Sequence, residues 1–531
     1  MEEIGDDDES SRDPTSWMEI LICRWRESLP PELEVDYLES LRNLQHKSPI
    51  ERWGLFAGCS VASKFYEGLS SVLRKSANIN IAFHTRLLAE KAPDKQQFLM
   101  SQHAPPFLVG DTKDLAGEKA VNVASNDADA ELLPFCLAAD GGIPCVSRTP
   151  LSCQRTKNLG CVGDGRGATG VGFADVKNFV KTHNPEQIML ECVTQLGQVP
   201  EDGQSDTAYM LSELRTLGYW AHTAHLDAVE YGSYPNRARQ YWSALSGLEG
   251  SDNDIAHFFT RLLNAFKLRD SFPPSYYITS DDDTRKEESS RLGLRTYSEF
   301  GPRVVKSGRD DHAYKLEHKL IFEANHMPWP VNFESLHKGF NFAGMYSREM
   351  ELTVLVEALW PSRQTTGQCE QFEFFNVNTD ATRLLKSYLD PERLRRDDSL
   401  RGPWMPRPCT LVGSGKMVVR ISRGEGLDPI IRCMDAIEYM RMIGWPDDAW
   451  KPLQPSLSTL EGMDMAANLA GNAFSVFHFG PWAMATLATV GRFHKDYVKH
   501  DCTNIEAVVP VECEDEQSSS DDATSSGSDS D

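Results

Sequence analysis

A cysteine, a glutamate and two arginines each follow an apolar run of the kind that forms a buried strand. Cys145 comes after the run LPFCLAAD, and Glu191 ends the run IML. Arg237 and Arg239 follow a third such segment. Because the carboxyl ends of parallel strands meet at one edge of a sheet, these side chains can converge there. A thiol, a carboxylate and two guanidiniums at one edge could attack, protonate and orient an electron-poor heterocycle.

Between about 50 and 250, short apolar runs alternate with amphipathic stretches, and these segments must position the four residues. GLFAGCSV followed by ASKFYEGLSSVL is one example. This alternation predicts an α/β domain with a mainly parallel sheet. The turn at 56–60 joins an apolar run to an amphipathic helix, whose first N–H groups could bind cofactor groups. Loops rich in Pro, Gly and charge follow between about 250 and 425, and helical periodicity returns from 430 to 495.

Eight motifs, in the same order along the chain, resemble those of the DNA (cytosine-5)-methyltransferase family. They are Phe56-Ala57-Gly58-Cys59-Ser60, Gly110-Asp111, Gly142-Ile143-Pro144-Cys145, Asp164-Gly165-Arg166-Gly167, Glu191-Cys192-Val193, Pro235-Asn236-Arg237-Ala238-Arg239, Glu438 with Gly444-Trp445-Pro446-Asp447, and Gly471-Asn472-Ala473. The matches extend over about 50–490, so the resemblance covers most of the chain.

The resemblance implies a Rossmann-like S-adenosylmethionine methyltransferase domain with a mainly parallel sheet, plus a smaller irregular target-recognition domain. It also implies transfer of a methyl group from S-adenosylmethionine to C5 of cytosine in DNA. Cys145 would add to C6, Glu191 would stabilise the activated ring near N3, and Arg237 and Arg239 would brace the base and the carboxylate. The base must leave the duplex for this chemistry. A glycine-rich loop over 147–172 would close over it.

The resemblance further implies which residues contact the cofactor. These are Phe56, Ala57, Gly58, Cys59, Ser60, Asp111, Pro144, Asn472 and Ala473. A rival dinucleotide fingerprint, GxGxxG at 165–170, lacks the preceding strand that such a site needs, so we do not expect a separate NAD site.

Four departures from the family pattern bear on activity. Ser60 replaces a glycine of the cofactor turn, Cys192 replaces the asparagine beside the glutamate, and Pro235 replaces a glutamine. The pattern places the second strand at about 80–84, and no acidic residue is evident there to bind the cofactor ribose. Since Cys145, Glu191, Arg237 and Arg239 are all present, we predict a divergent but active enzyme. Two alternatives stay open: a tRNA cytosine-C5 methyltransferase, because one branch of the family acts on RNA, and a catalytically impaired DNA-binding homologue.

The domain boundaries follow from the motifs and the composition. We predict an acidic N-terminal extension with short helices over 1–48, the catalytic domain over 49–250 and again over 429–498, a target-recognition region over 251–428, and a disordered acidic, serine-rich tail over 505–531. Residues 383–423 carry ten bases against four acids. Such a stripe can contact phosphates, and its aromatics can stack on bases; the alternative is an ordinary solvated loop. Its candidate DNA contacts are Arg393, Arg395, Arg396, Arg401, Trp404 and Arg407.

The overall composition is that of a globular protein. The net charge is −24, but residues 1–14 contribute −6 and residues 511–531 contribute −8, so the 496 residues between them carry −10. A local basic face for DNA therefore remains possible. We expect no membrane span, no signal peptide and no metal site, and the 12 scattered cysteines indicate a reducing compartment. A chromosomal substrate suggests the nucleus.

Overall fold

The computed structural model describes residues 14–125, 129–148, 157–201, 203–291, 295–303, 311–324, 326–336, 339–359, 372–377, 407–408, 416–423, 427–445 and 459–496. The predicted acidic tail and most of the predicted DNA-contacting stripe lie outside these residues.

The strands of the described residues are β1 (Ile50–Leu55), β2 (Phe83–Ala89), β3 (Phe107–Val109), β4 (Lys119–Val121), β5 (Ala130–Leu132), β6 (Ala138–Gly142), β7 (Gln187–Cys192), β8 (Trp220–Asp227), β9 (Ala238–Leu245), β10 (Phe340–Asn341), β11 (Phe372–Val377), β12 (Lys416–Ile421) and β13 (Ile430–Cys433).

The helices are α1 (Pro14–Glu27), α2 (Pro31–Leu44), α3 (Val61–Ala77), α4 (Pro93–Gln102), α5 (Gly167–His183), α6 (Asp206–Thr216), α7 (Asp252–Ala265), α8 (Asp282–Arg291), α9 (Asp311–Ala324), α10 (Ser347–Leu359), α11 (Ala436–Met442), α12 (Leu460–Asn472) and α13 (Val476–Phe493). Proline occupies the first turn of α2 and α4, where its missing N–H removes no helical hydrogen bond.

A seven-stranded sheet forms the centre of the molecule, in the order β3-β2-β1-β6-β7-β9-β8. The first five strands in this order are parallel, and β9 runs antiparallel to both of its neighbours. The chain moves outward from β1 to β3 and then returns to β6 on the other side of β1. This reversal opens a crevice at the carboxyl ends of the strands, where ligands of such sheets bind. The predicted α/β fold with a mainly parallel sheet is confirmed.

Helices cover both faces of the sheet because alternate strand residues are apolar on each side. On β7, Met189 packs into one buried cluster with α1, α2, α3, α7 and α13, whereas Ile188 and Leu190 pack into the other with α5 and α6. Helix α7 lies within the range predicted as target-recognition region, but its Phe259 contacts Trp482 of α13 at a ring-centroid distance of 4.8 Å.

Helix α13 is the most deeply buried helix among the described residues, and the first two helices pack directly on it. A Cβ atom at Gly491 would lie 1.9 Å from the carbonyl oxygen of Ser40, so only glycine permits this approach of α13 to α2. Trp25 of α1 is fully buried and donates to the carbonyl of Tyr231. The helices predicted as an N-terminal extension are thus part of the main core.

A second, four-stranded sheet has the order β10-β13-β12-β11 and packs with α9 and α10. A buried ion pair joins it to α11: Arg432 of β13 lies 2.6 Å from Glu438, the glutamate noted in the sequence. Arg285 of α8 reaches Asp435, the residue that caps α11, at 2.9 Å. Three strands of this second sheet lie between the two parts of the predicted catalytic domain, and β13 lies at the start of the second part, so buried charges join the two regions.

Candidate active site

The sequence-predicted residues meet at one edge of the central sheet. Cys145 follows the end of β6, and Glu191 lies near the end of the neighbouring strand β7, opposite Gly142. Because β9 is antiparallel, its beginning rather than its end reaches this edge, and it brings Arg237 and Arg239 there. The convergence expected from the sequence is present in the structure.

The nucleophile turn is held by backbone contacts on both sides of Cys145. The N–H of Ile143 donates to the carbonyl of Glu191 at 2.9 Å, and the hydroxyl of Thr169 donates to the carbonyl of Pro144 at 2.7 Å. The N–H of Arg148 donates to the carbonyl of Cys145 at 2.9 Å. Cys145 as a residue is half-buried. These backbone contacts fix the turn that carries its thiol.

The electrostatic environment keeps the resting sulfur protonated. Burial raises the pKa of the Cys145 thiol, and the carboxylate of Glu191 raises it further, while Arg239 and Arg237 act in the opposite direction. A proton must therefore leave the thiol before it can attack, because the thiolate is the nucleophilic form.

Glu191 and Arg239 form the central ion pair of the site. The Nε atom of Arg239 lies 2.7 Å from Oε1 of Glu191, and both side chains are largely buried. Burial raises the pKa of Glu191, although Arg239 and Arg237 work against this effect. A carboxyl group with a raised pKa can hold a proton nearer neutral pH and can thus serve as a proton donor.

Arg237 has a different set of contacts from Arg239. Its guanidinium donates to the carbonyl oxygens of Gly471 at 3.3 Å and of Ala473, in the turn that precedes α13. Burial lowers the pKa of Arg237 to about 10, and the neighbouring charge of Arg239 contributes. Arg239 therefore contacts the carboxylate of Glu191, whereas Arg237 holds the backbone between Gly471 and Ala473.

Cys192, which stands where the family has an asparagine, contacts the nucleophile turn. Its thiol donates to the carbonyl of Ile143 at 3.6 Å, and the side chain is fully buried. A thiol is a weak donor. The nucleophile turn is therefore still tied to β7, by a weaker bond than an amide would give.

A buried ion pair anchors the segment that follows the nucleophile. The Nε atom of Arg148 lies 3.3 Å from a carboxylate oxygen of Asp206, and neither side chain is exposed. The other oxygen of Asp206 accepts from the N–H of Val162 at 2.9 Å. Part of the loop predicted over 147–172 is therefore fixed on α6, and from Gly167 it is helix α5. Residues 149–156 lie outside the described part of the chain.

The predicted cofactor turn has an unusual backbone. Phe56, Gly58 and Ser60 have φ angles of 51°, 57° and 56°, in the left-handed region. This conformation suits Gly58, beside which a Cβ atom would meet nothing within 4 Å. It strains Ser60, whose hydroxyl lies 2.8 Å from that of Ser63. Ser60 therefore adopts a conformation that glycine would adopt without strain, and open space lies beside Gly58.

Glu90 was missed by the sequence prediction, which found no acidic residue after the second strand. That statement was wrong because β2 covers Phe83–Ala89 and Glu90 follows it immediately. One carboxylate oxygen of Glu90 accepts from the N–H of Gly58 at 2.9 Å, and the other accepts from the N–H of Ala92 at 3.0 Å. The sequence feature that indicates the true end of β2 is the apolar run LLA directly before Glu90. The carboxylate therefore lies against the cofactor turn.

The other predicted cofactor residues lie around the same edge. Asp111 follows β3 and pairs with Lys91 at 3.0 Å. Burial favours a higher pKa for Asp111, but the hydrogen bonds from Lys91 and from the backbone of Lys113 hold the pKa below its usual range. Asn472 is exposed and donates to Asn468, while Ala473 is buried in the turn before α13.

Of the predicted DNA contacts, only Arg407 lies within the described residues, and it is exposed. Arg393, Arg395, Arg396, Arg401 and Trp404 lie outside them. Three other bases of the stripe have partners on the small sheet or beside it: Lys416 pairs with Glu349 at 3.1 Å, Arg420 pairs with Glu357 at 3.1 Å, and Arg423 donates to a carbonyl. These three bases are therefore engaged by groups of the protein itself.

Two features are absent from the described residues. In that part of the chain no helix has both the length and the apolar character to cross a membrane. Among the same residues, no cluster of three or more His, Cys, Asp or Glu side chains is arranged to hold a metal ion.

The geometry defines a site for activating a ring by a thiol, with an ion-paired carboxylate beside it. The family model described as C-5 cytosine-specific DNA methylase matches residues 140–477, which is more than half of the chain. The chain belongs to the C-5 cytosine-specific DNA methylase family.

Two solved structures are similar in outline. The methyltransferase EhMeth of Entamoeba histolytica is 11% identical, with a TM-score of 0.39 over 83% of this chain and 98% of that one. The Dnmt2 methyltransferase of S. pombe is 13% identical, with a TM-score of 0.37 over 82% of this chain and 98% of that one. No significant match was found among curated proteins.

Proposed function

We propose that this protein transfers a methyl group from S-adenosylmethionine to C5 of cytosine in DNA through a covalent adduct with Cys145. The observation that carries the proposal is the placement of the partly exposed Cys145 beside the pair formed by Glu191 and Arg239, which lies at 2.7 Å. Family membership, based on residues 140–477, supports the same reaction class.

The steps follow from the chemistry of these side chains. Cys145 loses its proton to solvent and its sulfur bonds to C6 of the base, while Glu191 donates a proton to N3. Carbon C5 then has enamine character and can accept a methyl group. The C5 proton passes to solvent, the sulfur–C6 bond breaks with release of the thiolate, and the N3 proton returns to Glu191. Arg239 keeps the carboxyl group of Glu191 oriented toward the ring throughout.

S-adenosylmethionine, when bound, supplies the electrophilic methyl group. The residues present fit this cofactor: open space lies beside Gly58 at the carboxyl end of β1, and the carboxylates of Glu90 and Asp111 follow the next two strands. Carboxylates at this position can accept hydrogen bonds from hydroxyl and amino groups of a nucleoside. Phe56 and Pro144 would border the pocket from β1 and β6.

DNA is the proposed partner, and the region 251–428 is the proposed target-recognition region. A base can reach Cys145 only when it has left the stack, so we propose base flipping. Arg407, an exposed arginine of the described residues, is the predicted DNA contact that a substitution can test there. A chromosomal substrate would place the protein in the nucleus, which imaging of a fluorescent fusion would test.

The function is tested by measuring methyl transfer to DNA and to tRNA, and by trapping the covalent adduct on modified DNA. The full-length protein is incubated with tritiated S-adenosylmethionine and either duplex DNA or tRNA, and separately with DNA that contains 5-fluorocytosine. We expect label in DNA, and a covalent protein–DNA adduct that is lost in Cys145→Ala but kept in Cys502→Ala.

Each other outcome selects an alternative. Label in tRNA alone would replace DNA by RNA as the substrate. DNA binding without label or adduct would identify a catalytically impaired homologue. An adduct that survives in Cys145→Ala would overturn the assignment of the nucleophile.

A further inference from the structure

Strand β9 is tied to helix α13 along one of its faces. Arg237, Tyr241 and Ser243 are separated by even numbers of residues, so their side chains leave the same face of the sheet. Arg237 donates to carbonyl groups just before α13. The hydroxyl of Tyr241 lies 2.8 Å from Nδ1 of His478, and that of Ser243 lies 2.8 Å from the hydroxyl of Thr486.

The bond between Tyr241 and His478 is the one beside the reactive groups. Tyr241 is directly opposite Glu191 in the antiparallel pairing of β9 with β7. Directly opposed residues of such a pair project to the same face, so the phenol lies next to the carboxylate that Arg239 binds. Ser243 is opposite Met189, one further step from the edge.

The imidazole of His478 is suited to a permanent structural bond. It is fully buried in the first turn of α13. Burial lowers the pKa of His478 well below its usual value, and the charges of Arg237 and Arg239 lower it further. A neutral imidazole can accept the phenol proton at Nδ1 and adds no third positive charge beside the two guanidiniums.

We propose that Tyr241 and His478 are positioning residues, which lock β9 against α13 and thereby keep Arg239 on Glu191. The inference rests on the proposed function. Arg239 is only two residues from Tyr241, so a loosened strand would let its guanidinium leave the carboxylate. The lost orientation would affect the reaction more than the binding of substrate, because neither Tyr241 nor His478 is at the surface.

Five variants of the full-length protein separate positioning from simple stability. Tyr241→Phe and His478→Leu each remove one partner of the bond, and the double variant removes both. His478→Asn keeps an oxygen acceptor near the position of Nδ1. Ser243→Ala is the matched control, since it breaks an equally short bond between the same strand and the same helix.

We expect kcat of Tyr241→Phe and of His478→Leu to fall about tenfold with KM for DNA nearly unchanged, as removal of one buried hydrogen bond can cause. The double variant should be no slower than either single variant, and His478→Asn should recover to within about threefold of the wild type. Ser243→Ala should lower the melting temperature without lowering kcat. Equal losses in Ser243→Ala and Tyr241→Phe, or no rescue by asparagine, would overturn the inference.

A second readout does not depend on any nucleic acid. The rate of alkylation of Cys145 by iodoacetamide, followed on its peptide by mass spectrometry, reports how well the guanidiniums stabilise the thiolate. We expect a several-fold slower rate in Tyr241→Phe and none of this change in Ser243→Ala. If the wild type methylates nothing, the proposed function fails, while the alkylation series still decides whether Tyr241 and His478 position the arginines.

Discussion

Replacement of Glu90 by glutamine tests whether the carboxylate after β2 holds the cofactor. The two carboxylate oxygens accept from the N–H groups of Gly58 and Ala92 at 2.9 and 3.0 Å. An amide has one acceptor oxygen, so Glu90→Gln leaves one of these N–H groups facing a donor. It also removes the negative charge that would accept a hydroxyl group of the cofactor. A hydrogen bond to a charged group contributes about 1.5–3 kcal/mol.

If that contribution is lost from binding, the dissociation constant should rise by roughly 10- to 150-fold. Isothermal titration calorimetry with S-adenosylmethionine measures this directly, and S-adenosylhomocysteine serves as a stable substitute. Glu67→Gln is the matched control, because it makes the same chemical change on the exposed side of α3. Unchanged affinity in a folded Glu90→Gln protein would refute the assignment of Glu90 to the cofactor site.

Three further predictions concern the nucleophile and the core. Because the Cys145 thiolate is the reactive form and its pKa lies above the usual value, the rate of its alkylation by iodoacetamide should keep rising with pH into the alkaline range; a rate that is flat there would contradict this. Arg148→Met leaves the carboxylate of Asp206 buried without its guanidinium partner. The free energy of unfolding, measured in urea, should fall by about 3–5 kcal/mol. A loss below about 1 kcal/mol would show that the ion pair does not anchor the segment. Gly491→Ala places a methyl group against the carbonyl of Ser40, so the free energy of unfolding should fall by about 2–3 kcal/mol in the same measurement. An unaltered stability would exclude the close contact between the two helices.

The reactive residues could be predicted from the sequence because each is next to a strand. Cys145 and Glu191 follow buried runs, and parallel strands bring such ends together whatever the details of packing. The resemblance implied that the two arginines brace the carboxylate, and in the structure Arg239 pairs with Glu191. The antiparallel direction of β9 was not predicted, since a single strand carries no mark of its direction.

Glu90 escaped the prediction for a local physical reason. The first residues of β2 alternate between partly buried and exposed, and only its last three are buried. The strand was therefore placed too early, at 80–84, and the carboxylate that follows its true end went unnoticed.

Contacts between residues far apart in the chain could not be predicted from the sequence pattern. Lys416 and Arg420 were counted in a basic stripe, but Glu349 and Glu357 of α10 neutralise them from far along the chain. The sequence predicts short helices in the N-terminal extension. It does not predict that they meet α13, a helix more than 400 residues later.

The central position of α13 has a consequence during synthesis. Helices α1 to α3 end at residue 77, whereas α13, with which each of them has contacts, ends at residue 493. At 5–20 residues per second, a translating ribosome needs roughly 20 to 80 s to cover that interval. For that time the apolar surface that α13 covers on these helices, most of it on α2, has no partner. The nascent chain is therefore an expected client of holding chaperones until α13 is released.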